Sequence, residues 1–166
     1  PDCGERRHGS GGSAGGDSRR LPKQQVMAIE IDHLGIAVRS LEEGLRLYEN
    51  ALGMAVSGRE TIASEQVEVA MLPAGAGADS PRIELLEATG GASPIARYIE
   101  KRGPGLHHVA LRVDDLAKTI ERLKAEGARV LHEPRRGAGG HLYVFVHPAT
   151  TGGVLLELIQ KEPVRI

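Results

Sequence analysis

The chain holds one cysteine, Cys3, no tryptophan and a single phenylalanine, and aromatic residues make up only 2% of its 166 residues. Each shortage excludes something. A lone cysteine rules out an internal disulfide framework, and Cys3, set in a polar stretch with no strand or helix pattern around it, has no setting for nucleophilic catalysis. Scarce aromatics leave few platforms on which bases or sugars stack, which argues against single-stranded nucleic-acid binding. The formal net charge is -1, from 21 Lys and Arg against 22 Asp and Glu, so no overall field draws the chain to nucleic acid or to an anionic membrane. No apolar run approaches the roughly 20 residues that span a bilayer. No Gly-Lys-Ser/Thr loop is present to cradle phosphate. What remains is a protein expected to be cytoplasmic and soluble, with small molecules as partners.

Residues 1–26 are rich in glycine and serine and have almost nothing apolar to bury, so they are expected to form a disordered N-terminal tail. Met27 reads as a natural start. The stretch before it contains arginine, but Asp2, Glu5 and Asp17 fit a transit peptide poorly.

The informative feature beyond the tail is an internal repeat. Asp32-His33-Leu34-Gly35-Ile36-Ala37-Val38 lies over His107-His108-Val109-Ala110-Leu111-Arg112-Val113, and both copies alternate as half-buried strands do. Each is followed by a helix with the same punctuation: Ser40 and Asp115 at N-cap positions, Gly53 and Gly127 at the far ends. Ser40 and Glu43 have the spacing of a capping box. The apolar stripe reads Leu41, Leu45, Tyr48 and Leu52 in the first helix and Leu116, Ile120 and Leu123 in the second. Strand patterns then return over 54–60, 67–72 and 81–88, and again over 129–133, 141–147 and 154–160. Each half is therefore βαβββ: residues 27–90 form the first module and 104–166 the second. Residues 91–103 join them through a helix over 93–102. A module of this size buries too little surface to stand comfortably alone, so the two halves are expected to fuse into one domain. The fold class is α+β, a mostly antiparallel eight-stranded sheet.

Strand alternation divides the first strand of each half into two faces. Leu34, Ile36 and Val38 oppose His33, Gly35 and Ala37; Val109, Leu111 and Val113 oppose His108, Ala110 and Arg112. The bulky faces suit packing against the helices, and the histidine faces, lined by small residues, leave room for a cavity. The last strand of each half carries a glutamate among apolar neighbours, Glu84 and Glu157. A carboxylate in a buried strand is costly unless paired or bound to metal. One histidine on a strand is most often a hydrogen-bonded core or surface residue, but four ligand-type residues at matching places in two repeated modules point to a divalent metal site made by His33, Glu84, His108 and Glu157. Imidazole and carboxylate donors leave cobalt, nickel, manganese, iron and zinc all open. Arg112 is either a partner for an anionic substrate or a solvated side chain. Residues 137–140 form either a hairpin turn or a place where backbone approaches a substrate.

Six strings carry a resemblance: 32–38 as quoted, Ser93-Pro94-Ile95-Ala96, Gly105-Leu106-His107-His108, Gly137-Ala138-Gly139-Gly140, His147-Pro148, and Gly152-Gly153-Val154-Leu155-Leu156-Glu157-Leu158. Over about residues 30 to 161 the chain resembles the vicinal oxygen chelate superfamily (glyoxalase, bleomycin resistance, dioxygenase) and, within it, the methylmalonyl-CoA epimerase family. That resemblance implies a U-shaped sheet from two tandem βαβββ modules with helices on the outside. It implies one divalent ion, cobalt first with nickel, manganese or zinc as alternatives, held by His33, Glu84, His108 and Glu157. It also implies an acyl-CoA substrate, a homodimer, and inversion at the α-carbon of methylmalonyl-CoA through a metal-stabilised enolate. Glu157 is then the expected base. Glu68 is the expected second proton carrier, with Glu65 beside it and Val69 at the competing alignment. Within the same fold, a glyoxalase I-type lyase acting on a glutathione or related thiol adduct is the alternative enzyme, and a non-catalytic small-molecule binding protein is the alternative class. An extradiol dioxygenase needs only three protein ligands, which Glu84 argues against.

Overall fold

In the computed structural model, described for residues 29–137 and 140–160, the alternating segments pair into one sheet of eight strands. The strands are β1 (Ile29–Val38), β2 (Gly58–Ile62), β3 (Val67–Pro73), β4 (Arg82–Ala88), β5 (Gly105–Val113), β6 (Arg135–Arg136), β7 (Leu142–Val146) and β8 (Leu156–Gln160). The expected tail, residues 1–26, lies outside the described residues, as do residues 138 and 139 of the glycine-rich string and residues 161–166. Strand order is β2-β3-β4-β1-β5-β8-β7-β6. The two halves thus meet where β1 runs antiparallel to β5, and each half holds its last strand parallel to its first. All other pairings are antiparallel. The sheet is mixed, mostly antiparallel and curled, as an α+β fold of duplicated modules requires.

Helix α1 (Leu41–Leu45) continues as a π-wound turn (Arg46–Ala51), α2 spans Pro94–Arg102 and α3 spans Leu116–Ala125. Their starts follow the sequence: Ser40, Ser93 and Asp115 each accept a backbone N–H of the first turn. The helices that follow β1 and β5 receive a second, long-range cap that the sequence pattern did not reveal. The Glu87 carboxylate, on β4, accepts the Leu41 N–H at 2.6 Å, and the Gln160 side chain, on β8, accepts the Leu116 N–H at 2.6 Å. In each half a side chain of the last strand is thus tied to the helix that follows the first.

Among the described residues, three apolar clusters hold the structure. Leu41, Leu45, Ala70, Leu72 and Leu85 bury α1 against one face of the first half, and Val113, Leu116, Ile120, Val144, Val146 and Leu158 bury α3 against the same face of the second. Truncating the fully buried Leu85 to Ala would cost about 2–5 kcal/mol, the range for losing a core leucine. The third cluster lies on the opposite face: α2, through Ile95, Tyr98 and Ile99, covers Ala37, Val67, Val69 and Leu86. The connecting helix thus packs on the side of the sheet that carries His33, while α1 and α3 cover the other.

Three expectations are corrected. Leu52 is not part of the buried stripe but 61% exposed; after Leu45 the chain widens, Leu52 N–H reaching back five residues to Leu47 O at 3.0 Å, and the wider winding rotates Leu52 off the core face. The strand expected over 54–60 begins instead at Gly58, because Met54 and Val56 are spent on packing beneath α1. The strand expected over 129–133 is reduced to a bridge between Val130 and Val146, and the ladder resumes at Arg135, just past Pro134, which has no N–H to give.

Candidate metal centre

Register brings the four ligand-type residues together. In the β1–β5 pair, His33 stands opposite Ala110 and Gly35 opposite His108. In the parallel pairs, Gly35 neighbours Glu84 and Ala110 neighbours Glu157. The two small residues thus occupy equivalent places in the halves, each flanked by the histidine of the other half and the glutamate of its own. His33 Nε2 lies 3.0 Å from His108 Nε2, 3.4 Å from Glu84 Oε2 and 3.4 Å from Glu157 Oε2. His108 Nε2 is 3.3 Å from each carboxylate oxygen. All four residues are buried.

These spacings suit a cation. Donors about 2.0 to 2.2 Å from one ion stand roughly 2.8 to 3.6 Å apart when they subtend right or tetrahedral angles. The ligand atoms of His33, His108 and Glu157 all lie within 4.8 Å of one another, and Glu84 adds an oxygen within 3.4 Å of both imidazoles. Two imidazoles and two carboxylates form a mixed nitrogen and oxygen donor set for a divalent metal and do not choose among the first-row ions.

Electrostatics agree with a group built to share protons or a cation. Burial favours neutral imidazole at His33, but hydrogen bonds to Asp32, Glu157 and Glu84 outweigh it and raise the ring to about 11. His108 is raised against the same burial by Glu157 and Glu84. Burial resists ionisation of Glu84, yet the two histidines bring it down to about 2, and they lower Glu157 in the same way.

Two residues at the centre were not anticipated, because both depend on backbone irregularity. Between Ile31 and His33 the β1–β5 register slips by one residue at Asp32, and between Gly35 and Ile36 it slips again at His107. Each bulge turns the residue before a ligand histidine to the histidine's own side. Asp32 Oδ2 accepts His33 Nδ1–H at 3.0 Å, and His107 Nδ1 meets His108 Nδ1 at 2.9 Å. Burial, and then the neighbouring His108, push His107 down to about 4. Asp32 is itself clamped: Arg82 donates to Oδ2, and Arg112 donates to Oδ1 from Nε at 3.2 Å and from Nη2 at 2.9 Å. Burial opposes its charge, but His33 and the two guanidiniums hold the Asp32 carboxyl far below the usual carboxylate range. Arg112 shares the face of His108, as alternation predicts, and its partners are Asp32, Glu30 and Asp79.

Glu68 is not brought to the cluster. It stands directly across from Glu87, whose carboxylate caps α1, so it belongs to the helix side of the sheet. Val69 faces the metal side, opposite Leu86, and Glu65 is exposed in the β2–β3 turn. A carboxylate that shares the metal side by register is Glu60, on β2 opposite Val69. In the second half that side is aromatic: Phe145 stands across from Glu157 and packs edge-on to His108 with ring centres 5.9 Å apart, and Tyr143 and His132 follow it outward.

The chain matches the family model described as Glyoxalase/Bleomycin resistance protein/Dioxygenase superfamily over residues 32–145. It is 37% identical over 134 residues to the mitochondrial methylmalonyl-CoA epimerase of Dictyostelium discoideum, which covers 80% of this chain and 78% of that protein. It is 38% identical over 133 residues to the ethylmalonyl-CoA/methylmalonyl-CoA epimerase of Cereibacter sphaeroides, covering 78% of this chain and 96% of that one. Among solved structures, a variant of Streptomyces coelicolor methylmalonyl-CoA epimerase in complex with 2-nitronate-propionyl-CoA superposes with a TM-score of 0.74 at 34% identity, covering 80% of this chain and 97% of that one. The chain therefore belongs to the Glyoxalase/Bleomycin resistance protein/Dioxygenase superfamily and, within it, to the methylmalonyl-CoA epimerase family.

Proposed function

We propose that this protein epimerises methylmalonyl-CoA at its α-carbon, using a divalent cation held by His33, Glu84, His108 and Glu157. The observation that carries the reading is the convergence of two imidazole nitrogens and two carboxylate oxygens, each His–Glu distance 3.3 or 3.4 Å, in a chain whose relatives are epimerases. A bound cation supplies Lewis-acid polarisation of the thioester and carboxylate oxygens, which acidifies the proton between them and stabilises the enolate.

The chain's own groups supply the rest. Glu157 turns Oε2 to the two imidazoles, which leaves Oε1 to take the α-proton. Return of a proton on the other face needs a second carrier, and Glu60 is the assignment that the β2–β3–β4 register favours. The homodimer expected of the family and the cytoplasmic location expected from composition are part of the same reading.

The test is to supply one epimer of methylmalonyl-CoA to cobalt-reconstituted protein and resolve the two epimers over time. Equilibration of the two supports the reading, and a single unchanged epimer with the cation restored overturns it.

A further inference from the structure

The two ligand histidines are backed by unlike neighbours, the Asp32 carboxyl group behind His33 and the His107 imidazole behind His108. Only the first of these is anchored from both halves of the fold. Asp32 is 1% exposed; Arg82 reaches it from β4, whose Cα stands beside that of His33, and Arg112 reaches it from β5. The bulge that turns Asp32 toward this side sits at the seam between the halves.

We propose that Asp32 is a positioning residue of the metal centre: it accepts the Nδ1–H of His33, fixes Nε2 as the atom offered to the cation, and is itself held by Arg82 and Arg112. A carboxylate in this place locks both the tautomer and the ring orientation, and strengthens the imidazole as a donor. Arg112 acts one step further out, through Asp32, with no contact to the ligands of its own. The inference rests on the metal centre of the proposed function but not on its substrate.

The experiment is titration of cobalt(II) into chelator-treated full-length protein, followed by its visible absorption, with the Nδ1 and Nε2 resonances of His33 read by 15N-resolved NMR. Asp32→Asn is expected to weaken cobalt binding by about 10- to 100-fold and to release the His33 tautomer. Arg112→Gln, which keeps Asp32, is expected to weaken it by a smaller factor and to shift the His33 Nδ1–H resonance. Wild-type affinity and an unshifted resonance in folded Arg112→Gln overturn the proposal even where Asp32→Asn does not fold. Unchanged affinity in folded Asp32→Asn overturns it equally, while leaving the metal centre in place. Failure of the wild-type protein to bind cobalt removes the centre and this role together.

Discussion

Gly35 stands opposite His108 across the seam, and the space a side chain would occupy at Gly35 is filled by the imidazole ring: a Cβ there would lie 2.6 Å from His108 Nε2 and nearer still to Cε1. The glycine is needed for this close approach rather than for an unusual backbone angle. Gly35→Ala therefore pushes His108 out of line with the other three donors. Overpacking of this kind costs about 1–3 kcal/mol, and we expect cobalt affinity to fall by about tenfold or more. Titration calorimetry that finds wild-type affinity would contradict this use of the glycine.

The charge pattern fixes a pH dependence for the metal-free protein. His33 is raised from 6.5 to about 11, so its contribution to stability is complete below pH 6.5 and is lost as pH climbs toward 11. Glu84 is lowered from 4.5 to about 2, so its contribution is complete above pH 4.5 and is lost as pH falls through 2. The cluster thus stabilises the chelator-treated fold most between pH 4.5 and 6.5. Because a cation must displace the imidazole protons, the gain in melting temperature on adding metal should grow from pH 6 to pH 8, measured by thermal denaturation with and without cobalt.

Glu68 and Glu60 separate by a simple contrast. Glu68→Gln sits on the helix side and should leave epimerisation within about twofold of wild type, as surface substitutions away from a site usually do. Glu60→Gln should slow epimerisation by about 100-fold or more, the usual worth of a positioned proton carrier. Loss of turnover in Glu68→Gln alone, from initial rates on both variants, would reverse the assignment.

How much of this was legible in the sequence depends on whether a feature repeats. The 75-residue spacing of the two histidines, the caps at Ser40 and Asp115, and the glutamates of the last strands are written twice. Asp32 and His107 also repeat, but strict alternation assigns each to the face away from its histidine neighbour; only the bulges reverse that, and a bulge leaves no hydrophobic signature. Glu68 illustrates the same sensitivity in the other direction, because a shift of one residue along β3 changes the side of the sheet. Arg112 was placed on the correct face, yet its partner belongs to the other half of the chain, and such a pairing follows from the register of β1 and β5 rather than from any local pattern.

His108 contacts both carboxylates and the opposing imidazole, so its loss removes one donor from the middle of the ligand set. His108→Ala should purify without stoichiometric metal and lose turnover, and its metal-free melting temperature should fall as well, because two buried carboxylates lose a partner. Metal analysis finding one tightly held ion per chain in this variant would contradict the ligand set.

The central claim, cation-dependent abstraction of the α-proton, is tested most directly by incubating cobalt-loaded protein with methylmalonyl-CoA in deuterium oxide and following the α-proton by NMR. The account predicts that its signal is lost to solvent exchange, that chelator stops the loss, and that returned cobalt restores it. Retention of the α-proton with the cation restored would contradict it.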